Sequence, residues 1–272
     1  MSSLRSRLPR SAVWPLLTVP LLLTGGCELM VAGPRASASD VWERTYDLGD
    51  TPALAISNTN GSVTVHVHDA PRIVVRAERT VKAVTEQGAR DLLAATTIGE
   101  EVTTSSVSLS TRRPSSFGMG QQAEVRYDVR VPRATSLSLR TTNGALSIDG
   151  VQGVIELETV NGRVRGAGLG QVQRAETVNG SVEIALDRVP QRGATFETVN
   201  GSVEITMPST SAARVSVRTV NGSITVAGFA QLDEGERRRR RYEGTLNGGG
   251  PALRVETVNG SVSVRGQDVG TD

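Results

Sequence analysis

The chain is poor in the residues that carry most enzyme chemistry. Its 272 residues include one cysteine, Cys27, and two histidines, His66 and His68. A lone thiol excludes a disulfide framework and any zinc or iron–sulfur site built from cysteines. Two histidines leave little for histidine-dependent catalysis, and no nucleophile has an arguable His partner. No glycine-rich loop opens a helix in a phosphate-binding context, so no cofactor is expected. Aromatic residues make up 3% of the chain, and Lys82 is the only lysine. After the first 30 residues no apolar run is long enough to span a membrane. The 38% hydrophobic content is nevertheless too high for a disordered chain. The length allows one large or two modest domains with ample surface to bury.

Charge is distributed unevenly. The formal net charge is +2, but residues 1–26 hold Arg5, Arg7 and Arg10 and no acid; without them, 27 basic groups face 28 acidic ones. A nucleic-acid binder keeps its positive charge in the folded part, so no nucleic-acid partner is expected.

Those first residues read as an export signal: three arginines, an apolar stretch from Ala12 to Leu23 interrupted by Pro15 and Pro20, then small residues. The run Leu22-Leu23-Thr24-Gly25-Gly26-Cys27 resembles a bacterial lipoprotein signal, although Leu23 stands one place further from the cysteine than is commonest. The resemblance implies cleavage before Cys27 and acylation of that residue, which would anchor the chain to a membrane at about 0.8 kcal/mol per buried CH₂. The alternative is an ordinary secretory signal with a bystander cysteine. We divide the chain into a signal peptide (1–26), a flexible tether (27–40), a single β-repeat domain (41–266, regular repeats 132–266) and a tail (267–272).

The mature sequence is dominated by an internal repeat. Asn-Gly pairs stand at Asn60-Gly61, Asn143-Gly144, Asn161-Gly162, Asn179-Gly180, Asn200-Gly201, Asn221-Gly222 and Asn259-Gly260. Two residues before each Asn lies a threonine (Thr141, Thr159, Thr177, Thr198, Thr219, Thr257), replaced by Asn58 in the first copy. Apolar residues alternate with polar ones on both sides: Ile56, Leu139, Leu157, Ala175, Phe196, Val217 and Val255 before the pair, and Val63, Leu146, Val164, Val182, Val203, Ile224 and Val262 after it. Each copy is a strand, a tight corner and a strand. The fold class is all-β. Asn-Gly alone also suits a two-residue hairpin, so an antiparallel meander is the alternative. A hairpin does not call for Thr before the pair or Ser after it. A parallel β-solenoid does, because equivalent residues then ladder about 4.8 Å apart.

The phrase Glu-Thr-Val-Asn-Gly-Ser-Val resembles the toastrack family (domain-of-unknown-function family 4097), a bacterial β-strand-repeat group named as adhesins. The likeness extends over most of residues 45–265. It takes in Leu54–Val63, Val131-Pro132, and Gly244-Thr245-Leu246-Asn247-Gly248-Gly249-Gly250. It implies a β-solenoid-like fold at the cell envelope, often lipid-anchored, and offers no catalytic residues to carry over.

Outside the repeats, Ile73-Val74-Val75-Arg76, Val102–Leu109 and Ala123–Val131 alternate like strands. Thr85–Ala95 is the best helix candidate, with Thr85 as N-cap; such a helix is expected to cap an open end of the stack. Arg237 to Arg241 form a solvated insertion loop balanced by Asp233, Glu234 and Glu236, or a contact for anionic lipid or polymer. His66 and His68 on one strand face are exposed histidines rather than metal ligands, and no metal site is expected. Three residues before each Asn the row reads Arg140, Glu158, Glu176, Glu197, Arg218, Glu256; stacking its glutamates requires arginines such as Arg163, Arg165 and Arg174, or a cation. Five Asn-Gly-Ser triplets match a glycosylation acceptor, but corner geometry already accounts for them.

The expected function is a non-enzymatic, lipid-anchored envelope protein that presents a rigid β-repeat surface to a protein or polysaccharide partner, in adhesion or in envelope-stress signalling or assembly. The alternative is a β-helical enzyme acting on polysaccharide, kept open by the glutamate column.

Overall fold

Alternation on both sides of each Asn-Gly pair sends one strand into each of two facing sheets. The computed structural model describes residues 36–49, 51–114, 118 and 120–268. The expected signal peptide, Cys27, most of the expected tether and the end of the expected tail lie outside the described residues. In chain order the strands open with β1 (Ala36–Tyr46), β2 (Ala53–Ser57), β3 (Val63–Val67) and β4 (Ile73–Ala83). Helix α1 (Glu86–Ala95) precedes β5 (Thr97–Val102), β6 (Ser106–Arg112) and β7 (Gln122–Val131). The repeats supply β8 (Ser136–Asn143), β9 (Leu146–Asp149), β10 (Val154–Asn161), β11 (Val164–Leu169), β12 (Gln171–Asn179), β13 (Val182–Leu186), β14 (Ala194–Asn200), β15 (Val203–Pro208), β16 (Ala213–Asn221) and β17 (Ile224–Ala227). A hairpin, β18 (Leu232–Arg238) and β19 (Arg241–Leu246), then leads to β20 (Ala252–Asn259) and β21 (Val262–Gln267).

The first sheet has the order β1-β4-β7-β3-β9-β11-β13-β15-β21-β17, and the second β18-β19-β16-β20-β14-β12-β10-β8-β2-β6-β5. The two strands flanking each Asn-Gly never pair with each other: β10 pairs in parallel with β8 and β12, while β11 pairs in parallel with β9 and β13. The fold is a parallel β-solenoid, and the antiparallel meander is excluded. Among the described residues antiparallel pairs occur only toward the ends of the stack, where β1, β4 and β7 pair in the first sheet, β5 with β6, and β18 and β19 beside β16 in the second.

Inward residues of both sheets form one aliphatic core. The seven residues four places before each Asn, from Ile56 to Val255, are all 0–1% exposed. With few aromatics available, Tyr127, Tyr242 and Phe196 add large rings to the fully buried set among the described residues. Gly166 occupies an inward position where a Cβ would lie 2.4 Å from Leu169 Cδ1, so Leu169 fills that place from the same strand.

Three boundaries differ from the sequence reading, and the helix keeps its expected span and cap. Ala36–Asp40, assigned to the tether, pair with β4 as the first half of β1, because Asp40 faces Arg79 and forms an ion pair with it. Gln267, assigned to the tail, ends β21, where it pairs with Pro208. Val102–Leu109 is broken into β5 and β6, since the Thr103 hydroxyl accepts the Ser105 and Ser106 amides and closes a turn. The helix begins at Glu86 with Thr85 accepting from the Gly88 amide. It sits at the open N-terminal end but packs Ala89 and Leu92 against Val81, Ala83 and Ala123, on a sheet face rather than across a strand edge.

The largest departure is the path of the last coil. After β17 the chain forms the β18–β19 hairpin on the free edge of β16. It then crosses back and inserts β20 between β14 and β16 and β21 between β15 and β17. The crossing is made by Asn247-Gly248-Gly249-Gly250. Asn247 (φ 46) donates to the Ser209 and Ser211 carbonyls at 2.8 Å, and Gly248 and Gly249 take φ of 80 and 89. A left-handed run of this kind favours Asn and Gly.

Candidate binding surface

At the corners, stacking brings identical groups into hydrogen-bond range. Each threonine is 2–4% exposed and donates its hydroxyl to the glycine carbonyl of the neighbouring coil: Thr159 to Gly144, Thr177 to Gly162, Thr198 to Gly180, Thr257 to Gly201 and Thr219 to Gly260, at 2.9–3.0 Å. Thr141 reaches Gly61 at 3.4 Å. Asn58, in the threonine position of the first coil, donates to three carbonyls, those of Asn60, Gly61 and Val125. An amide has two donors where a hydroxyl has one, which suits the coil that must also hold β7.

The asparagines form an unbroken amide ladder in the order Asn221, Asn259, Asn200, Asn179, Asn161, Asn143, Asn60. Each Nδ2 donates to the next Oδ1 at 2.8–2.9 Å, and Asn60 ends the run on the Ala123 carbonyl. The glycines are required by close approach: a Cβ on Gly180 would lie 2.0 Å from the Gly162 carbonyl oxygen, and every corner glycine shows 1.9–2.1 Å to its neighbour. No corner asparagine has positive φ, as the hairpin alternative would need.

Behind the corners, the outer face of the second sheet carries a groove of about 670 Å³. Its floor has two rows. One is valine (Val160, Val178, Val199, Val258, Val220), each 38–50% exposed. The other reads Arg140, Glu158, Glu176, Glu197, Glu256, Arg218 in spatial order, which corrects the order of the chain and places four glutamates side by side. Their repulsion is offset by Arg140 on Glu158 (3.1 Å), Arg174 on Glu176 (2.8 Å) and Arg254 on Glu256 (2.9 Å), with Arg218 3.9 Å from Glu256. Of the arginines expected to serve the column, only Arg174 does. Arg163 and Arg165 lie on β11 in the first sheet, where Arg163 pairs with Glu183. Glu197 is the least compensated, with Arg254 4.0 Å away. Partial burial and then the charges of Glu176 and Glu256 raise its pKa above the ordinary carboxylate value.

The histidines do not come together as ligands. His66 is exposed on β3, whereas His68 lies past the strand end with Nε2 2.6 Å from the Arg72 carbonyl. Among the described residues, no three His, Cys, Asp or Glu side chains are placed to hold a metal.

The five arginines occupy the tip of the β18–β19 hairpin. Arg237 pairs with Glu234 (2.7 Å), Arg238 with Glu236 (2.5 Å) and Arg241 with Glu243 (2.5 Å). Among the described residues Arg239 and Arg240 pair with no carboxylate, and both are exposed. The Arg240 carbonyl accepts the Thr219 amide, which fixes the tip beside the Asn221 corner. Sequence reasoning missed the valine row, whose signal was an apolar residue on the polar side of five successive strands.

The family described as Toastrack DUF4097 matches residues 45–265. No curated protein matches the chain. Similar solved structures include one described as a "putative cell adhesion protein" from Clostridium sporogenes ATCC 15579, 10% identical, covering 85% of this chain and 100% of that one with a TM-score of 0.49. Another, described as a "putative adhesin" from Bacteroides fragilis NCTC 9343, is 11% identical and covers 84% of this chain and 97% of its own with a TM-score of 0.38.

Proposed function

Because the chain belongs to the toastrack family, DUF4097, we propose that it is a non-catalytic cell-envelope protein, anchored by lipid on Cys27. In this reading its second sheet is held out to a protein or polysaccharide partner, in adhesion, envelope-stress signalling or assembly. The observation that carries the reading is the groove floor, where valine and glutamate rows are held in place by the parallel pairing beneath them and by four of the ion pairs above. A surface preformed in this way binds without first ordering a loop, which removes part of the entropic cost of association.

Two measurements test it. Metabolic labelling with palmitate should mark the full-length chain and not its Cys27→Ser variant; equal or absent labelling defeats the anchor. Crosslinked capture from native envelope should yield a partner that Glu176→Arg and Glu256→Arg lose; identical capture by the variants moves the binding site off this face. The one feature that favours a polysaccharide-active enzyme is the raised pKa of Glu197 among close carboxylates. New reducing ends or unsaturated products from polygalacturonate or peptidoglycan, lost in Glu197→Gln, would establish that reading instead.

A further inference from the structure

The Asn-Gly corners form one long edge of the stack, and its composition is unlike that of the faces. Seven corners contribute the residue before the Asn, the pair itself and the residue after it. No carboxylate occurs among these positions, and Arg163 is their single charge. Five of the nine exposed large hydrophobic residues, Val160, Val178, Val199, Val220 and Val258, stand in this one row. Contiguous exposed apolar surface of this kind marks an interaction site rather than ordinary scatter.

Both ends of the edge carry positive charge. At the C-terminal end the hairpin turns beside the Asn221 corner, because β19 starts at Arg241 opposite Arg218 while β16 runs toward Asn221. Arg239 and Arg240 project there, and their neighbours' charges are already spent on Glu234, Glu236 and Glu243. At the N-terminal end Lys82 lies in a recess shared with Asn60, Asn143 and Glu124, whose carboxylate pairs with Arg126. The first described residue, Ala36, pairs with Ala83 at that same end of the edge. The chain thus enters the domain on the edge that ends in the arginine tip.

We propose that the Asn-Gly edge rests on a bilayer surface containing anionic lipid, with the valine row against the interface and Arg239 and Arg240 on headgroup phosphates. The valine row has unpaired cations at its C-terminal end and, along its other side, a glutamate row largely offset by Arg140, Arg174 and Arg254. An apolar row with cations at its end suits a membrane surface better than a soluble polyanion, which would gain nothing from the valines. The edge from β1 to β17 spans ten strands, roughly 43 Å at about 4.8 Å per step. Cys27 lies nine residues before Ala36, so a lipid there sits at most about 30 Å from the start of β1. A single point of attachment leaves the orientation of the domain open, and the arginine tip, at the other end of the same edge, selects the one that lies flat. The inference rests on the anchored reading for that geometry; the headgroup contact itself stands apart from it.

Every strand and core residue among the described residues lies at or after Ala36, so a chain starting at residue 27 with Cys27→Ser keeps all of them and carries no lipid. Its sedimentation with phosphatidylcholine vesicles, with and without phosphatidylglycerol, measures the contact directly. Binding is expected only with phosphatidylglycerol, weakening as salt is raised. Arg239→Gln with Arg240→Gln should reduce it about tenfold or more, whereas Arg188→Gln with Arg192→Gln, an equal charge loss in exposed loops away from the corners, should leave it unchanged. Val178→Glu with Val199→Glu should also weaken binding with the arginines intact. The proposal is overturned if no anionic vesicles are bound, if the two arginine pairs act equally, or if the tip arginines govern binding to soluble polyglutamate while vesicles are ignored. Because no lipid is present, failure here leaves the palmitate result on Cys27 standing, and failure of labelling leaves this result standing.

Discussion

The corner column and the glutamate column run along the same stack, yet they obey different rules. Along the corners, Asn and Gly occur in every coil and Thr in all but the first; along the glutamate row, Glu gives way to Arg at both ends, and the compensating arginines come from different strands. At a corner the neighbour is backbone within hydrogen-bond distance, so one side chain fits and others do not. On the outer face the neighbour is a long side chain in water, and a pair exposed on both sides contributes at most about 1 kcal/mol. Identity is enforced where coils touch through backbone, and composition drifts where they touch through solvent.

Substitutions should reproduce that gradient. Gly180→Ala puts a Cβ 2.0 Å from the Gly162 carbonyl, and a loss of about 3 kcal/mol or more is expected in chemical denaturation. Gly49→Ala, with nothing within 4 Å, should stay within about 0.5 kcal/mol. Next comes Thr177→Val, which keeps the shape but removes the donor to the half-buried Gly162 carbonyl; a cost of about 1 kcal/mol is expected. Asn179→Asp retains the acceptor for Asn200 and loses the donor to Asn161. In this exposed ladder it should cost about 1 kcal/mol, and Asn179→Ala should cost more than Asn221→Ala because Asn221 bonds only one ladder neighbour. A flat response across these positions would mean that the corners do not stack as described.

The glutamate column should give the smallest effect, and with the opposite sign. Folding raises the pKa of Glu197, so its ionised form is disfavoured in the folded state. That makes the carboxyl favourable to folding below its unfolded value, an advantage lost as pH rises through the folded value. At neutral pH Glu197→Gln should therefore stabilise the protein, by no more than about 0.5 kcal/mol at this partly exposed site. The gain should fade on acidification below the usual glutamate range. Thermal melts of both proteins across that range check the sign, and a destabilised variant at neutral pH would contradict the assignment.

The parallel stack was legible because Thr, Asn, Gly and Ser repeat as identities, which only direct stacking demands. The buried residues followed from the same alternation. The position of the last coil was not legible. Asn259 satisfies its ladder equally well beyond Asn221 or between Asn200 and Asn221, and Val262 serves any coil. Charge even pointed the other way, since chain order would alternate Glu197, Arg218 and Glu256, whereas the structure places Glu197 against Glu256. What settles the order is the β18–β19 hairpin, which takes the free edge of β16 and leaves β20 to enter on the other side. The only trace of that crossing in the sequence is the run Asn247-Gly248-Gly249-Gly250. The groove was half legible: the glutamates were found by spacing, while the valine row was hidden among residues that read as strand formers.

The insertion of the last coil sets the order of every column, and it is open to a direct chemical test. Val199 and Val258 sit between the paired Thr198–Thr257 and Asn200–Asn259, on adjacent strands, whereas Val199 and Val220 are separated by β20. Cysteines at adjacent parallel positions fall within the Cα range a disulfide needs, and those one strand further apart do not. In a Cys27→Ser background, mild oxidation should crosslink Val199→Cys with Val258→Cys and leave Val199→Cys with Val220→Cys reduced, as read by mass spectrometry. Crosslinking of the second pair and not the first would show that the coils stack in chain order, and would contradict the account.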